Sequence, residues 1–235
     1  MRSRRRPDPL LDLLLATSLL LAASAPALSA QVADPDPLRF AEDFEEFASW
    51  DAKNSVPSDA ILFVGSSSIV RWSSAEAFPE LPVINRGFGG SQASDAAHWV
   101  KEAVLAYDPA VVVYYEGDND VSAGKQARQV FEDMRAFGQA VLSHDRATQV
   151  VFISVKPSLL RWEHWGEMQA INDLLRQYTL ESPNLHFVDV GTPMLGPDGQ
   201  PIPELFVSDG LHMTPAGYDV WNRVVGPVLH RLHGR

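Results

Sequence analysis

The sequence predicts an α/β fold, a three-layer α/β/α sandwich built on a five-stranded parallel sheet. Short apolar runs recur along the chain, and they are continuous rather than alternating, which is typical of strands buried on both faces. Amphipathic segments lie between most of these runs, and strand–helix alternation favours a parallel sheet covered by helices. The predicted strands cover 60–64, 82–85, 110–115, 149–155 and 185–190.

The predicted helices are identified by apolar residues at helical spacing. Near the start of the domain, a stripe formed by Phe40, Phe44, Phe47 and Trp50 has intervals of four, three and three residues. We expect this stripe to pack against the core, after a short linker at 31–37. The later helical segments are 93–107, 127–144, 166–180 and 215–232.

The first thirty residues have the pattern of a secretory signal peptide. A basic start containing four arginines is followed by an apolar run and by the small-residue segment Ala-Leu-Ser-Ala before Gln31. We therefore expect a secreted or periplasmic protein with a signal peptide at 1–30, a linker and helix at 31–56 and one domain at 57–235. An uncleaved N-terminal anchor is the alternative.

Charge and cysteine content exclude several classes of function. Residues 1–30 hold four Arg and two Asp, so the formal charge of −11 becomes −13 once they are removed. A chain this acidic is not expected to bind nucleic acid or an anionic membrane as its main partner. The sequence has no Cys, which excludes disulfides and thiolate chemistry. No later segment is apolar enough for stable membrane insertion, and the oligomeric state stays open.

Polar segments follow the predicted strands, where ligands bind in open parallel sheets. Gly65-Ser66-Ser67-Ser68 follows the first strand, and a serine there can be either a nucleophile or a helix N-cap. The Gly-rich stretch 85–95 can aim backbone N–H groups at an anion or serve as a flexible connector. The acids of 116–120 could be read as a metal cluster, but they have no neighbouring His, and Asn119 offers an uncharged donor instead.

The segment Val-Ser-Asp-Gly-Leu-His at 207–212 places Asp209 three residues before His212. A carboxylate at that spacing can orient an imidazole as a general base, although Asp-Gly is also an ordinary turn signal. Taken with the other strand-end segments, this pair completes the groups that acyl transfer needs: a serine, a base, its orienting acid and N–H donors.

In these segments the chain resembles the SGNH hydrolases, the GDSL-type esterases. The matching blocks are Gly65-Ser66-Ser67, Asn85 to Gly90, Gly117 to Asp120, and Asp209 to His212. They run in the family's order across nearly the whole domain. The branch that the chain resembles most is that of platelet-activating-factor acetylhydrolase subunits and bacterial GDSL-like acylhydrolases. The resemblance implies a flavodoxin-like sheet and neither a metal nor an organic cofactor.

The resemblance also implies roles for individual residues. Ser67 would be the nucleophile, His212 the base and Asp209 its partner. The oxyanion donors would be the backbone N–H groups of Ser67 and Gly90 and the side chain of Asn119. The family's usual Asp before the nucleophile is Ser66 here, and the run of serines leaves Ser66 or Ser68 as alternative nucleophiles.

A further set of residues follows the strands closely enough to line a substrate pocket. These candidates are Arg71, Trp72, Arg161, Trp162 and His164. The Pro- and Gly-rich loop 191–208 precedes the Asp–His pair and could shape specificity. We expect an exported serine esterase acting on a short acyl group, such as acetyl, on a sugar or small alcohol. The alternatives are a noncatalytic carbohydrate-binding protein, a lipid-ester acylhydrolase and an acyltransferase.

Overall fold

A computed structural model describes residues 31–234, so the signal peptide predicted at 1–30 lies outside the described residues. The five predicted strands form one parallel sheet in the order β2-β1-β3-β4-β5, which confirms the predicted architecture. This is the flavodoxin-like order, in which the direction of strand addition across the sheet switches between β1 and β3. The strands are β1 Ile61–Gly65, β2 Val83–Gly87, β3 Val111–Tyr115, β4 Gln149–Ile153 and β5 Leu185–Val188.

Helices cover both faces of the sheet. The long ones are α1 Ala41–Asp51, α7 Ala127–His144, α8 Trp165–Tyr178 and α9 Pro215–His233. The short ones are α2 Ser67–Val70, α3 Ser74–Ala77, α4 Ala93–His98, α5 Val100–Ala103 and α6 Asp118–Ser122. The single helix predicted at 93–107 is therefore divided into α4, α5 and a final 3₁₀ turn. Among residues 31–234, no helix is both long and apolar enough to cross a membrane.

Alternate residues of each strand contribute to two separate hydrophobic cores. On β1, Leu62 and Val64 pack under α1, α4, α7 and α8, whereas Ile61 and Phe63 pack under α2 and α9. Every residue of β1 and β3 is buried, as the continuous apolar runs predicted. The two cores fix the sheet between helical layers, so that the loops after the strands meet along one edge.

Side-chain contacts hold the N-terminal segment against the domain. Lys125 binds Asp34 at 2.6 Å, and the Gln129 side chain exchanges two hydrogen bonds with the backbone of Val32. In the aromatic stripe that follows, Phe40 and Phe44 are buried in the core. Trp50 departs from the expected core packing: half of its surface is exposed, and the Arg86 guanidinium lies 5.0 Å from its ring centroid.

Candidate active site

The turn between β1 and α2 presents Ser67 at the carboxyl edge of the sheet. The turn depends on Gly65, whose φ of +142° is in the region that favours glycine. The hydroxyl of Ser66 is buried without a hydrogen-bond partner, and Ser68 is 3% exposed. Of these three serines, Ser67 is the one whose hydroxyl contacts a histidine.

The Asp209–His212 segment forms a compact turn in which the carboxylate faces the imidazole. Asp209 Oδ2 lies 2.6 Å from His212 Nδ1, while its Oδ1 accepts the backbone N–H groups of Leu211 and His212 at 2.8 and 2.9 Å. Gly210, at φ +68°, lets the chain reverse between the two residues. The hydrogen bond from His212, followed by the two backbone donors, holds the pKa of Asp209 well below its usual range. The carboxylate therefore stays charged and accepts a hydrogen bond from Nδ1–H.

Ser67, His212 and Asp209 form one hydrogen-bonded chain. His212 Nε2 lies 3.0 Å from Ser67 Oγ, on the opposite side of the ring from Asp209. Because Asp209 accepts from Nδ1–H, the neutral ring has its free lone pair on Nε2. That nitrogen is therefore placed to accept the proton of the Ser67 hydroxyl. The turn after β1 and the turn before α9 are 145 residues apart in sequence and meet at this contact.

The Gly-rich loop after β2 lies over Ser67. A Cβ built on Gly89 would be 3.9 Å from the Ser67 Cβ, and the next residue, Gly90, has φ +83°. Beyond its two chain neighbours, no atom of residues 31–234 lies within 4 Å of a Cβ built on Gly90, so the space beside this residue is open. The Ser67 N–H lies in the first turn of α2, where helix N–H groups have no intrahelical acceptor. These features leave room for a small group between the loop and Ser67.

The Asn119 amide has a defined orientation at the start of α6. Its Nδ2 donates to the carbonyl of Ser91 at 2.8 Å, and its Oδ1 accepts from Arg161 Nη2 at 2.9 Å. A carbonyl can only accept and a guanidinium can only donate, so the two contacts assign the oxygen and nitrogen of the amide. One Nδ2–H is used by Ser91, and the second remains for a ligand.

Two of the three acidic residues of 116–120, Asp118 and Asp120, are paired with cations. Asp120 accepts from the backbone N–H of Ala93 and lies 3.2 Å from Lys125, and Asp118 lies between Lys156 and Arg161. Within residues 31–234, no three His, Asp or Glu side chains are grouped as ligands for a metal ion. These acids organise neighbouring loops, a role that the sequence analysis did not identify.

Glu116 is a fully buried carboxyl group beside the Gly-rich loop. Its Oε1 contacts Ser91 Oγ, which also lies 2.9 Å from the carbonyl oxygen of Phe88. A hydroxyl has only one proton, so both contacts are hydrogen bonds only if Ser91 donates to Phe88 and Glu116 donates to Ser91. Burial, together with the charge of Asp120, raises the pKa of Glu116 well above its ordinary value. We therefore assign Glu116 as a neutral acid.

This assignment predicts that replacing Glu116 with glutamine stabilises the protein at alkaline pH. The folded state keeps the Glu116 proton in a pH range where the unfolded chain has lost it, so wild-type stability falls as pH rises through that range. The amide of the E116Q variant would still donate to Ser91 and has no proton to lose. The melting temperature of E116Q should exceed that of the wild type at pH 8, and the difference should shrink toward pH 4.

Thermal unfolding at pH 4, 6 and 8 measures this difference, and Glu80→Gln is the matched control. Glu80 is exposed, so E80Q is expected to melt close to the wild type at each pH. An E116Q protein that is less stable than the wild type at pH 8 would show that Glu116 is ionised in the folded state.

Three of the five residues predicted to line a pocket border one of two clefts. Arg71 and Trp72 border a cleft of about 520 Å³ with Met213 and Tyr218, although Trp72 itself is 3% exposed. Trp162 borders a second cleft of about 540 Å³. The other residues of this Trp162 cleft are Leu159, Gly196, Pro197, Asp198, Gln200, Pro201, Ile202 and Pro203.

The two remaining pocket candidates belong to the same segment as Trp162 but line neither cleft. Arg161 turns toward Asn119 and Asp118. His164 is half-buried and lies 3.8 Å from the carboxylate of Glu163. The pocket-lining role of all five candidates therefore stays a prediction.

A serine, a histidine and an aspartate hydrogen-bonded in sequence beside backbone N–H groups are the parts that serine hydrolases use. Residues 66–220 match the model of the GDSL-like lipase/acylhydrolase family, so the chain belongs to that family. The predicted resemblance to SGNH hydrolases is thereby confirmed. No curated protein sequence matches the chain.

Solved structures share the fold at low sequence identity. A GDSL-like lipase from Bacteroides thetaiotaomicron is 22% identical with a TM-score of 0.68, over 80% of this chain and 97% of that one. A Streptococcus pneumonia protein provisionally described as a platelet activating factor is 21% identical with a TM-score of 0.73, over 82% and 94%. A carbohydrate esterase family 3 protein from Talaromyces cellulolyticus is 16% identical with a TM-score of 0.62, over 74% and 98%.

Proposed function

We propose that the protein is a serine esterase that hydrolyses carboxylic esters through an acyl-enzyme. The observation that carries this proposal is the chain of contacts from Ser67 Oγ to His212 Nε2 and from His212 Nδ1 to Asp209. A noncatalytic binding protein would have no need of a charged carboxylate that orients a histidine toward a serine hydroxyl.

The first half of the proposed reaction acylates Ser67. As Ser67 Oγ attacks the ester carbonyl carbon, His212 Nε2 takes the hydroxyl proton, and Asp209 stabilises the resulting imidazolium. The negative charge that develops on the carbonyl oxygen is stabilised by the N–H groups of Ser67 and Gly90 and by the free Nδ2–H of Asn119. His212 then gives its proton to the departing alkoxide, so the alcohol leaves neutral and the acyl group stays on Ser67.

The second half releases the acid by the same groups. His212 takes a proton from a water molecule, and the hydroxyl oxygen attacks the acyl carbonyl carbon. The same donors stabilise the second oxyanion, and His212 returns the proton to Ser67 Oγ as the ester bond breaks. The carboxylic acid leaves, and the enzyme returns to its starting state without a metal or an organic cofactor.

For the substrate, we propose a short acyl group, such as acetyl, on a sugar or small alcohol. The Trp162 cleft supports the alcohol side of this assignment, because Leu159 at its edge packs against Gly210 of the Asp209–His212 turn. The indole of Trp162 suits the apolar surface of a sugar ring, and Asp198 and Gln200 in the same cleft suit its hydroxyl groups. Proteins of the same fold include a carbohydrate esterase and an acetyl esterase. The signal-peptide pattern supports export as part of this proposal.

Covalent labelling by a fluorophosphonate probe tests the nucleophile. We expect stoichiometric labelling of the wild type, with the modified peptide carrying the phosphonate on Ser67 and not on Ser66 or Ser68. Ser67→Ala should not be labelled, while Ser68→Ala should be labelled wherever it folds. Absence of labelling in the wild type, or equal labelling of the wild type and S67A, would contradict the proposed nucleophile.

A substrate panel tests the proposed ester class. Nitrophenyl esters of increasing chain length, acetylated sugars and acetylated polysaccharides should be compared at one pH. We expect kcat/KM to fall from acetyl to longer acyl groups and acetylated sugars to be hydrolysed. A preference for long acyl chains would identify a lipid esterase instead. Acylation of an added acceptor sugar, in excess of free acid released, would identify a transferase.

A further inference from the structure

Three charged side chains form a buried cluster beside the candidate site, which we call the Asp118 cluster. It consists of Asp118, Lys156 and Arg161, of which Asp118 and Lys156 are 4% and 1% exposed. Asp118 Oδ2 lies 3.4 Å from Lys156 Nζ and 3.3 Å from Arg161 Nη1, so both cations share one carboxylate oxygen. Burying such charges costs free energy and is weak support for stability. Stability alone therefore does not explain why these charges are buried, and the other contacts of Lys156 and Arg161 indicate their role.

The two cations of the cluster reach different parts of the site. Arg161 Nη2 donates to Asn119 Oδ1 at 2.9 Å. Lys156 Nζ donates at 3.0 Å to the carbonyl oxygen of Leu211, the residue before His212. Asp118 therefore connects Arg161, which binds the Asn119 amide, to Lys156, which binds the Asp209–His212 turn.

The contact with Arg161 prevents the Asn119 amide from turning over. A half-turn would place Nδ2 against the Arg161 guanidinium and Oδ1 against the Ser91 carbonyl, replacing two hydrogen bonds with two repulsive contacts. Each lost hydrogen bond would leave a partly desolvated polar group without its partner, which is unfavourable. The hydrogen bond from a guanidinium also draws electron density from the amide, which strengthens Nδ2–H as a donor. Such preorganisation is what stabilises an oxyanion effectively.

We propose that Arg161 is a positioning residue that fixes the Asn119 amide as an oxyanion donor, and that Asp118 and Lys156 tie this donor to the turn carrying His212. This proposal rests on the proposed esterase function for its effect on rate. Its geometric part, the fixed orientation of the Asn119 amide, stands independently of the reaction.

Variants at position 161 test the effect on rate. Removing an oxyanion donor with Asn119→Ala should lower kcat by about 10²–10³-fold. Arg161→Met leaves the donor present but free to turn, so kcat should fall by about 10–100-fold, the loss typical when a residue that orients a metal ligand is removed. KM should change by less than about twofold, because ground-state contacts remain. Arg161→Lys keeps the positive charge but loses the paired N–H donors of the guanidinium. Its kcat should lie between those of R161M and the wild type.

The combination of the two variants separates positioning from a general structural effect. If Arg161 acts through Asn119, the N119A/R161M double variant should have the same kcat as N119A, since there is no amide left to position. Arg128→Met is the matched control, because Arg128 is an exposed arginine on α7. A multiplicative loss in the double variant, or a kcat of R161M equal to that of the wild type, would overturn the proposal.

An NMR measurement gives a readout that does not depend on activity. In the wild type, the Asn119 side-chain amide protons should give two distinct resonances that exchange slowly with solvent. In R161M they should exchange faster, while R128M should match the wild type. Unchanged exchange in a folded R161M would overturn the proposal even in an active enzyme. A wild type that hydrolyses no ester would contradict the proposed function, and the exchange data would still decide the orientation of the amide.

Discussion

Replacing His212 with alanine is expected to lower kcat for ester hydrolysis by about 10⁴–10⁶-fold, because the base that activates Ser67 is lost. The 3.0 Å contact between His212 Nε2 and Ser67 Oγ is the only route in the described residues by which a histidine can take the serine proton. KM should change little, since the imidazole acts on the reacting atoms. Initial rates with a nitrophenyl acetate over a range of concentrations measure both constants.

The pairing of Ser67 with His212 makes a sharper test than either variant alone. Two residues that act as one unit lose their effect together, so S67A/H212A should be no slower than S67A. His98→Ala is the matched control, because His98 lies at the end of α4, away from the contacts of the candidate site. Retention of more than about a tenth of wild-type kcat by H212A would show that another group activates the nucleophile, contrary to the triad mechanism.

The parts of the site that could be predicted from sequence are those that follow directly from strand ends. A parallel sheet brings the residues after its strands to one edge, so Ser67, the Gly-rich loop and Asn119 could be expected to lie together. Asp209 and His212 were expected at the same edge for the same reason, although a loop separates them from β5. The family resemblance favoured Ser67 among the three serines, and the structure adds that Ser66 and Ser68 are buried, which the sequence could not show.

The supporting contacts could not be predicted, because they join segments that no local pattern relates. Arg161 was expected to line a pocket, and the structure places its guanidinium on Asn119, 42 residues earlier in the chain. Lys156 directly follows the fourth predicted strand, as the other site residues follow theirs, and this position was the one available signal. The pairing of Asp34 with Lys125 likewise depends on how the N-terminal segment crosses the domain. Charged residues this far apart in sequence are brought together only when the chain folds.

Replacing Gly65 with alanine is expected to lower the free energy of unfolding by about 4 kcal/mol or more, or to prevent folding. An added Cβ would lie 1.9 Å from the carbonyl oxygen of Tyr115, on the neighbouring strand β3, and at φ +142°. That carbonyl also accepts the N–H of Ser66, so it cannot move away without loss of the turn that presents Ser67. Relief would require β1 and β3 to separate at the centre of the sheet.

Gly199→Ala is the control that separates this clash from backbone strain alone. Gly199 also has a positive φ, +75°, but in the described part of the chain no atom outside its two neighbours lies within 4 Å of a Cβ built there. Its replacement should cost about 1–2 kcal/mol, the strain of an L-residue in a left-handed conformation. In a domain of this size, 1 kcal/mol corresponds to about 2–4 °C in Tm, so folded G65A should melt more than about 8 °C below the wild type. Equal melting temperatures for G65A and G199A would show that β1 and β3 can separate locally without cost, and that the close approach of Gly65 to Tyr115 is not what requires glycine before the nucleophile.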